Sequence, residues 1–85
     1  MRLVRLTRRF LASKNAHAPA GTPVARVVAE LADELRPLPG PHDRDERLDP
    51  VGVYPARPIP SAGLSVLYLV AADGSVILVA VKRTT

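Results

Sequence analysis

The chain has 85 residues, 47% hydrophobic and 24% charged, which is enough for one small domain and typical of a folded protein rather than a disordered one. With no cysteine and two histidines, disulfides, thiolate metal sites, iron–sulfur clusters and a cysteine nucleophile are excluded, and no metal or other cofactor is indicated. The longest apolar run, from Val66 to Ala72, is far short of the ~20 residues that cross a bilayer, so no membrane partner is expected.

Charge carries more information. The net charge is +4 and ten of the twelve basic residues are arginine. Their distribution is uneven. Residues 1–29 hold Arg2, Arg5, Arg8, Arg9, Lys14 and Arg26 and no acid, whereas residues 30–50 hold seven acids against three arginines. A basic end favours an anionic partner such as nucleic acid, an acidic protein or a membrane surface. An arginine- and alanine-rich chain is also what a GC-rich genome produces, so both explanations stand.

In chain order, the first 20 residues are arginine-rich and acid-free, as in an organellar transit peptide, but they lack the apolar core of a secretory signal. Removing them would leave too little core. They are read as part of the domain, and a cytoplasmic, bacterial protein is expected. Residues 2–7 fit a strand, while Leu3, Leu6 and Phe10 recur at helical spacing; a strand running into a short helix satisfies both. A helix is predicted from about Val24 to Arg36, with Thr22 as its cap and Pro23 in its first turn. Val24, Val27, Val28, Leu31 and Leu35 form its apolar stripe, and Pro37 ends it.

Residues 37–50 are rich in proline and charge and read as a loop. Val51–Tyr54 is expected to be a short strand that Pro55, Pro58 and Pro60 either confine to an edge or end. The C-terminal part reads as a hairpin of Leu64–Ala71 and Val76–Lys82 about Asp73–Gly74. A two-residue loop would pair Val70 with Ile77, Leu69 with Leu78, Tyr68 with Val79, Leu67 with Ala80, Val66 with Val81 and Ser65 with Lys82. Both faces of that hairpin are apolar near the turn, which hints at a partner covering one of them. The whole chain, residues 1–85, is read as a single α+β domain. An N-terminal strand or helix and one amphipathic helix would pack on a twisted antiparallel sheet ending in this hairpin.

Few motifs carry chemistry. His17 and His42 fall in loop-like sequence, too far apart for a spaced metal pair, and are read as solvated. Asp43, Asp45, Glu46 and Asp49 lack the glycine and terminal glutamate of a calcium loop and are read as a solvated charged loop. Pro55–Ala56–Arg57–Pro58 matches a minimal PxxP but is read as a rigid loop. Arg57, Lys82 and Arg83, with Tyr54 and Tyr68, form the one set of interest. Strand register allows these cations to gather at one end or face of the sheet, where they can bind phosphate and stabilise charge developing on it without a metal. They also fit ordinary strand-end charges that keep a sheet soluble.

The run LSVLYLVAADGSVILVAVKR, Leu64 to Arg83, resembles the C-terminal hairpin of the RelE/ParE toxin superfamily, with a V-L-Y strand, a D-G turn and an apolar strand ending in basic residues. The preceding LADELRPLP resembles that family's helix and proline-rich connection. Ser65 stands where the family's strand usually has arginine, and the chain ends at Thr85 without the aromatic tail of many RelE ribonucleases. The resemblance implies a toxin neutralised by a cognate antitoxin. It also implies metal-independent cleavage of ribosome-bound mRNA, the activity preferred on sequence, or else inhibition of DNA gyrase. In the ribonuclease version Arg57, Lys82 and Arg83 would be catalytic, and Arg5, Arg8 and Arg9 would contact nucleic acid. From another class, a non-enzymatic basic module that dimerises or docks a partner through its open sheet fits the same residues.

Overall fold

The computed structural model describes residues 2–17, 22–50 and 52–84. A short strand β1 (Val4–Leu6) leads into helices α1 (Arg8–His17) and α2 (Thr22–Ala32). Strands β2 (Arg44–Leu48) and β3 (Gly52–Ile59), a single 3-10 turn, β4 (Leu64–Val70) and β5 (Val76–Arg83) follow. The sheet order is β1-β5-β4-β3-β2. Strands β2 to β5 form an antiparallel meander, and β1 joins its far edge parallel to β5. The domain is α+β, but its sheet is mixed rather than wholly antiparallel. Two helices and three strands separate β1 from β5, so no tight turn imposes antiparallel pairing there.

The apolar stripe of α2 does what its spacing predicts, up to its last member. Val24, Val27 and Leu31 are buried with Phe10 of α1 against Val66, Tyr68, Val76, Leu78 and Val81 of the central strands. Burying each such side chain contributes about 1.5–3 kcal/mol. The helix stops at Ala32 instead of Arg36, and Leu35 is 89% exposed. Two local competitors end it early. The Asp33 carboxylate accepts the Leu35 backbone N–H, an alternative to the helical ladder that aspartate side chains favour. The Arg2 guanidinium donates to the carbonyls of Leu31, Glu34 and Arg36, satisfying acceptors that a helix end leaves open. The capping hydroxyl expected of Thr22 lies outside the described residues.

The hairpin register is half as expected. Leu67 pairs with Ala80, Val66 with Val81 and Ser65 with Lys82, but nearer the turn Tyr68 faces Leu78, Leu69 faces Ile77 and Val70 faces Val76. The turn is one residue longer than the two-residue loop. Ala71 and Ser75 are bonded across it, and Gly74 takes a left-handed φ of 87°, the usual device of a three-residue loop. A bulge at Val79 removes the extra residue and restores the far register. Its backbone is served from the N-terminal region: the Thr7 hydroxyl contacts the Leu78 and Val79 carbonyl oxygens, and Ser13 Oγ accepts the Val81 N–H at 2.8 Å. Thus α1 takes over the edge of β5 where β1 ends.

Two expectations for the middle of the chain are overturned. Residues 37–50 are not wholly loop, because Arg44–Leu48 is the edge strand β2. Its run of four charged residues suits an edge that must resist further pairing. Strand β3 runs eight residues through Pro55 and Pro58 instead of stopping at the first proline, so the PxxP match is strand rather than rigid loop. Strand β3 pairs with β2 over Gly52–Ala56 and with β4 over Ala56–Ile59. Each proline therefore sits where β3 has a neighbour on one side, and its missing N–H can face the empty side. Val51, expected to open this strand, lies outside the described residues.

A second, smaller cluster joins Ala56, Leu67, Val79 and Ala80 with Leu48 and Tyr54 on the face away from the helix residues. Tyr54 and Leu48 roof this face, so most of the apolar surface expected to need a partner is already covered. What remains open at the hairpin tip is Leu69 and Val70. Among the described residues no helix is long and apolar enough to cross a membrane.

Candidate functional site

The most organised polar constellation centres on Asp43, just before β2, whose side chain is 1% exposed. Strand alternation turns Arg57 and Tyr68 toward the helices, since Arg57 and Val66 are paired and Tyr68 shares the face of Val66. Arg57 grips the carboxylate with two bonds, Nε to Oδ1 at 2.8 Å and Nη2 to Oδ2 at 3.1 Å. The Tyr68 hydroxyl and the Gly40 backbone N–H also donate to Oδ2. Glu30 of α2 approaches Arg57 from the other side at 3.6 Å. A Cβ at Gly40 would lie 2.5 Å from Arg57 Nη2, so a larger residue there would have to displace the guanidinium from its bonds to Asp43.

The electrostatics follow from that geometry. Burial opposes ionisation of Asp43, but donation by Arg57, Tyr68 and the Gly40 N–H outweighs it and holds the carboxyl below its ordinary range. The hydrogen bond to Asp43 raises the Arg57 pKa further against burial. Burial, reinforced by the bond to and charge of Asp43, pushes the Tyr68 phenol well up. The three groups thus form a closed ion pair with a neutral phenol donor. A cleft of about 320 Å³ lies beside it, walled by Glu30, Arg36, His42, Asp43, Arg57 and Pro58 among others.

The expected gathering of Arg57, Lys82 and Arg83 does not occur. Arg57 lies under α2 with two carboxylates. Lys82, opposite Ser65, leaves the other face of the sheet, where its ammonium donates to the Arg47 carbonyl and stands 3.9 Å from Glu46. Arg83 is exposed opposite Leu64 at the strand end. Tyr54 belongs to the outer cluster with Lys82's face, and Tyr68 is in the core. Ser65 is buried and its hydroxyl has no hydrogen-bond partner among the described residues. Arg5, Arg8 and Arg9 are exposed, Arg5 on β1 opposite Ile77 and the other two in the first turn of α1. His17 and His42 are exposed as expected, but His17 ends α1 instead of lying in a loop, and His42 is on the rim of the cleft.

Asp43, read as a solvated loop acid, is instead the pivot of the site, and Glu30 and Gly40 were not singled out. The one local signal is Gly40 three residues before Asp43, the offset at which an acidic side chain reaches back to a backbone N–H in a capping box. Nothing in the sequence links either residue to Arg57. Comparison with known proteins adds no further constraint. No protein-family model, curated protein or solved structure matches this chain.

Proposed function

We propose that the chain is a cytoplasmic, RelE/ParE-like toxin of a toxin–antitoxin pair, which disables its target by docking on it rather than by cutting RNA. The toxin reading rests on the resemblance of Leu64–Arg83, and the α+β arrangement of helices packed on a sheet ending in that hairpin supports it. The observation that favours docking is the dispersal of the candidate cations. Metal-free cleavage needs a base near the 2′-hydroxyl and cations around one phosphate. Here Arg57 is neutralised by Asp43 and Glu30, and Lys82 projects from the opposite face. Of the two targets the resemblance implies, DNA gyrase is the one that docking alone can inhibit.

Induced expression of the whole chain in a bacterial host, following growth, bulk mRNA and DNA damage, tests this reading. Growth arrest with DNA damage and intact mRNA is the expected result. Arrest with rapid loss of mRNA would restore the ribonuclease version. Normal growth with abundant soluble protein would replace both with the non-enzymatic binding module.

A further inference from the structure

Asp43 uses only part of Arg57. A guanidinium carries five N–H donors, and Asp43 takes one from Nε and one from Nη2. Nη1 has two more, and neither makes a hydrogen bond among the described residues. The anion facing it is Glu30 Oε2 at 3.6 Å, beyond the ~3.2 Å within which N–H···O bonds form. The Glu30 carboxylate, 37% exposed, makes no hydrogen bond among those residues either. Both groups line the cleft of about 320 Å³. An unused donor and an unused acceptor therefore stand side by side in one small opening.

The rest of the lining narrows the ligand. Besides His42, four ionisable side chains wall the cleft, Arg36 and Arg57 against Glu30 and Asp43, so their charges cancel. A phosphate or nucleotide would bring unbalanced negative charge up to Glu30, and a polyamine would meet Arg36 and Arg57. A zwitterion adds no net charge. Pro37, Pro41 and Pro58 supply an apolar wall, as in sites where a few polar groups orient a ligand against apolar surface. The volume is at the small end of the ~300–1,000 Å³ typical of such sites.

We propose that this cleft binds a free α-amino acid with an apolar side chain. The ligand's carboxylate accepts from Arg57 Nη1 and its ammonium donates to Glu30. Charge then alternates around the four groups, each cation lying between two anions. Charge-assisted bonds of ~2.7–2.9 Å on either side bridge the 3.6 Å gap without disturbing the two that Arg57 makes to Asp43. Arg36, exposed on the same wall, takes the second carboxylate oxygen, and the ligand's side chain lies against the prolines. The site uses neither the outer face nor the basic first turn of α1, so it stands or falls apart from the toxin reading.

The test is calorimetric titration of the whole chain with L-valine, L-leucine and L-phenylalanine, each also as its N-acetyl and its amide derivative. Saturable one-to-one binding of the free amino acids is expected. Blocking either end should weaken the Kd by about tenfold or more, as for loss of a hydrogen bond between charged groups. In NMR spectra the Gly40 amide and the Arg57 Nε–H should shift. Glu30→Gln removes the ammonium's partner and should weaken the Kd by a similar factor. Glu46→Gln, the same change on the outer face, should leave it unchanged, and circular dichroism of both variants checks that the fold persists. The blocked derivatives decide the matter on the unaltered protein. Absence of binding, derivatives that bind as tightly as the free amino acids, indifference to Glu30→Gln, or shifts confined to another face would overturn the proposal. So would inorganic phosphate that binds the cleft more tightly than the amino acids, because the cleft would then be an anion site.

Discussion

The two faces of the sheet hold charge in opposite ways. On the helix side, Asp43 is removed from water and given four donor contacts from three residues, two from Arg57 and one each from Tyr68 and Gly40. On the outer side, Lys82, Glu46 and Arg44 meet at the surface, with Arg44 bonded to Glu46 at 3.0 Å and Lys82 39% exposed. Identical charge types therefore carry different energetic weight. A buried pair cannot lose one member without stranding the other, whereas an exposed pair is replaced by water. The difference also separates structure from function: the arginine that best fits a catalytic role on paper is the one the fold most needs.

The largest effect should come from breaking the buried pair. Asp43→Ala or Arg57→Ala should each cost about 3–5 kcal/mol, a large share of the stability of so small a domain. Thermal denaturation should show a fall of roughly 12–40 °C, at about 4–8 °C per kcal/mol. The double variant Asp43→Leu/Arg57→Met should cost far less than the sum of the single changes, because no buried charge is left unpaired and Glu30, more than a third exposed, can turn to water. Strict additivity would mean that the ion pair does not tie the segment before β2 to the sheet.

Acid should find the same carboxylate. The folded pKa of Asp43 is depressed, so the unfolded chain binds more protons between the two values, and stability rises with pH across that window. The contribution is complete above the unfolded pKa of about 4 and is lost as pH falls through the folded value. Tyr68 acts at the other limit. Its folded pKa is raised, so its contribution is complete below about pH 10 and erodes above it, as the unfolded phenol ionises. Urea midpoints across pH should be flat between these limits, and Asp43→Asn should flatten the acid limb. Tyr68→Phe should remove the alkaline limb and cost about 1–3 kcal/mol, because a buried carboxylate loses one of its donors.

The same contrast explains what the sequence made legible. Helix α2 and the β4–β5 hairpin were readable because their apolar spacing repeats over two or more turns or pairs. The register error near the turn came from one extra loop residue that a bulge at Val79 then removed, and neither feature has an unambiguous residue signature. Strand β2 was hidden because Arg44, Asp45, Glu46 and Arg47 are all charged and show no apolar–polar alternation, as suits an edge. Strand β3 was hidden because Pro55 and Pro58 read as breakers until the sheet shows which side of each is unpaired. Arg57 could be named as a candidate from its position before the hairpin. Its meaning could not, because Asp43 reaches it only through the β2–β3 pairing and Glu30 only through the packing of α2.

The smallest effect should come from the outer face. Lys82→Ala removes an ammonium that is 3.9 Å from Glu46 and 39% exposed, and it leaves Glu46 with Arg44 as partner. The expected cost is below about 1 kcal/mol, shrinking further in high salt. The Arg47 carbonyl, which loses the Lys82 donor, lies at an exposed residue of an edge strand and can turn to water. A loss as large as that of Arg57→Ala would show that Lys82 is held as tightly as the buried pair, and the contrast between the two faces would collapse. If stability is unchanged while growth arrest by the expressed chain is lost, Lys82 belongs to the surface that meets the target.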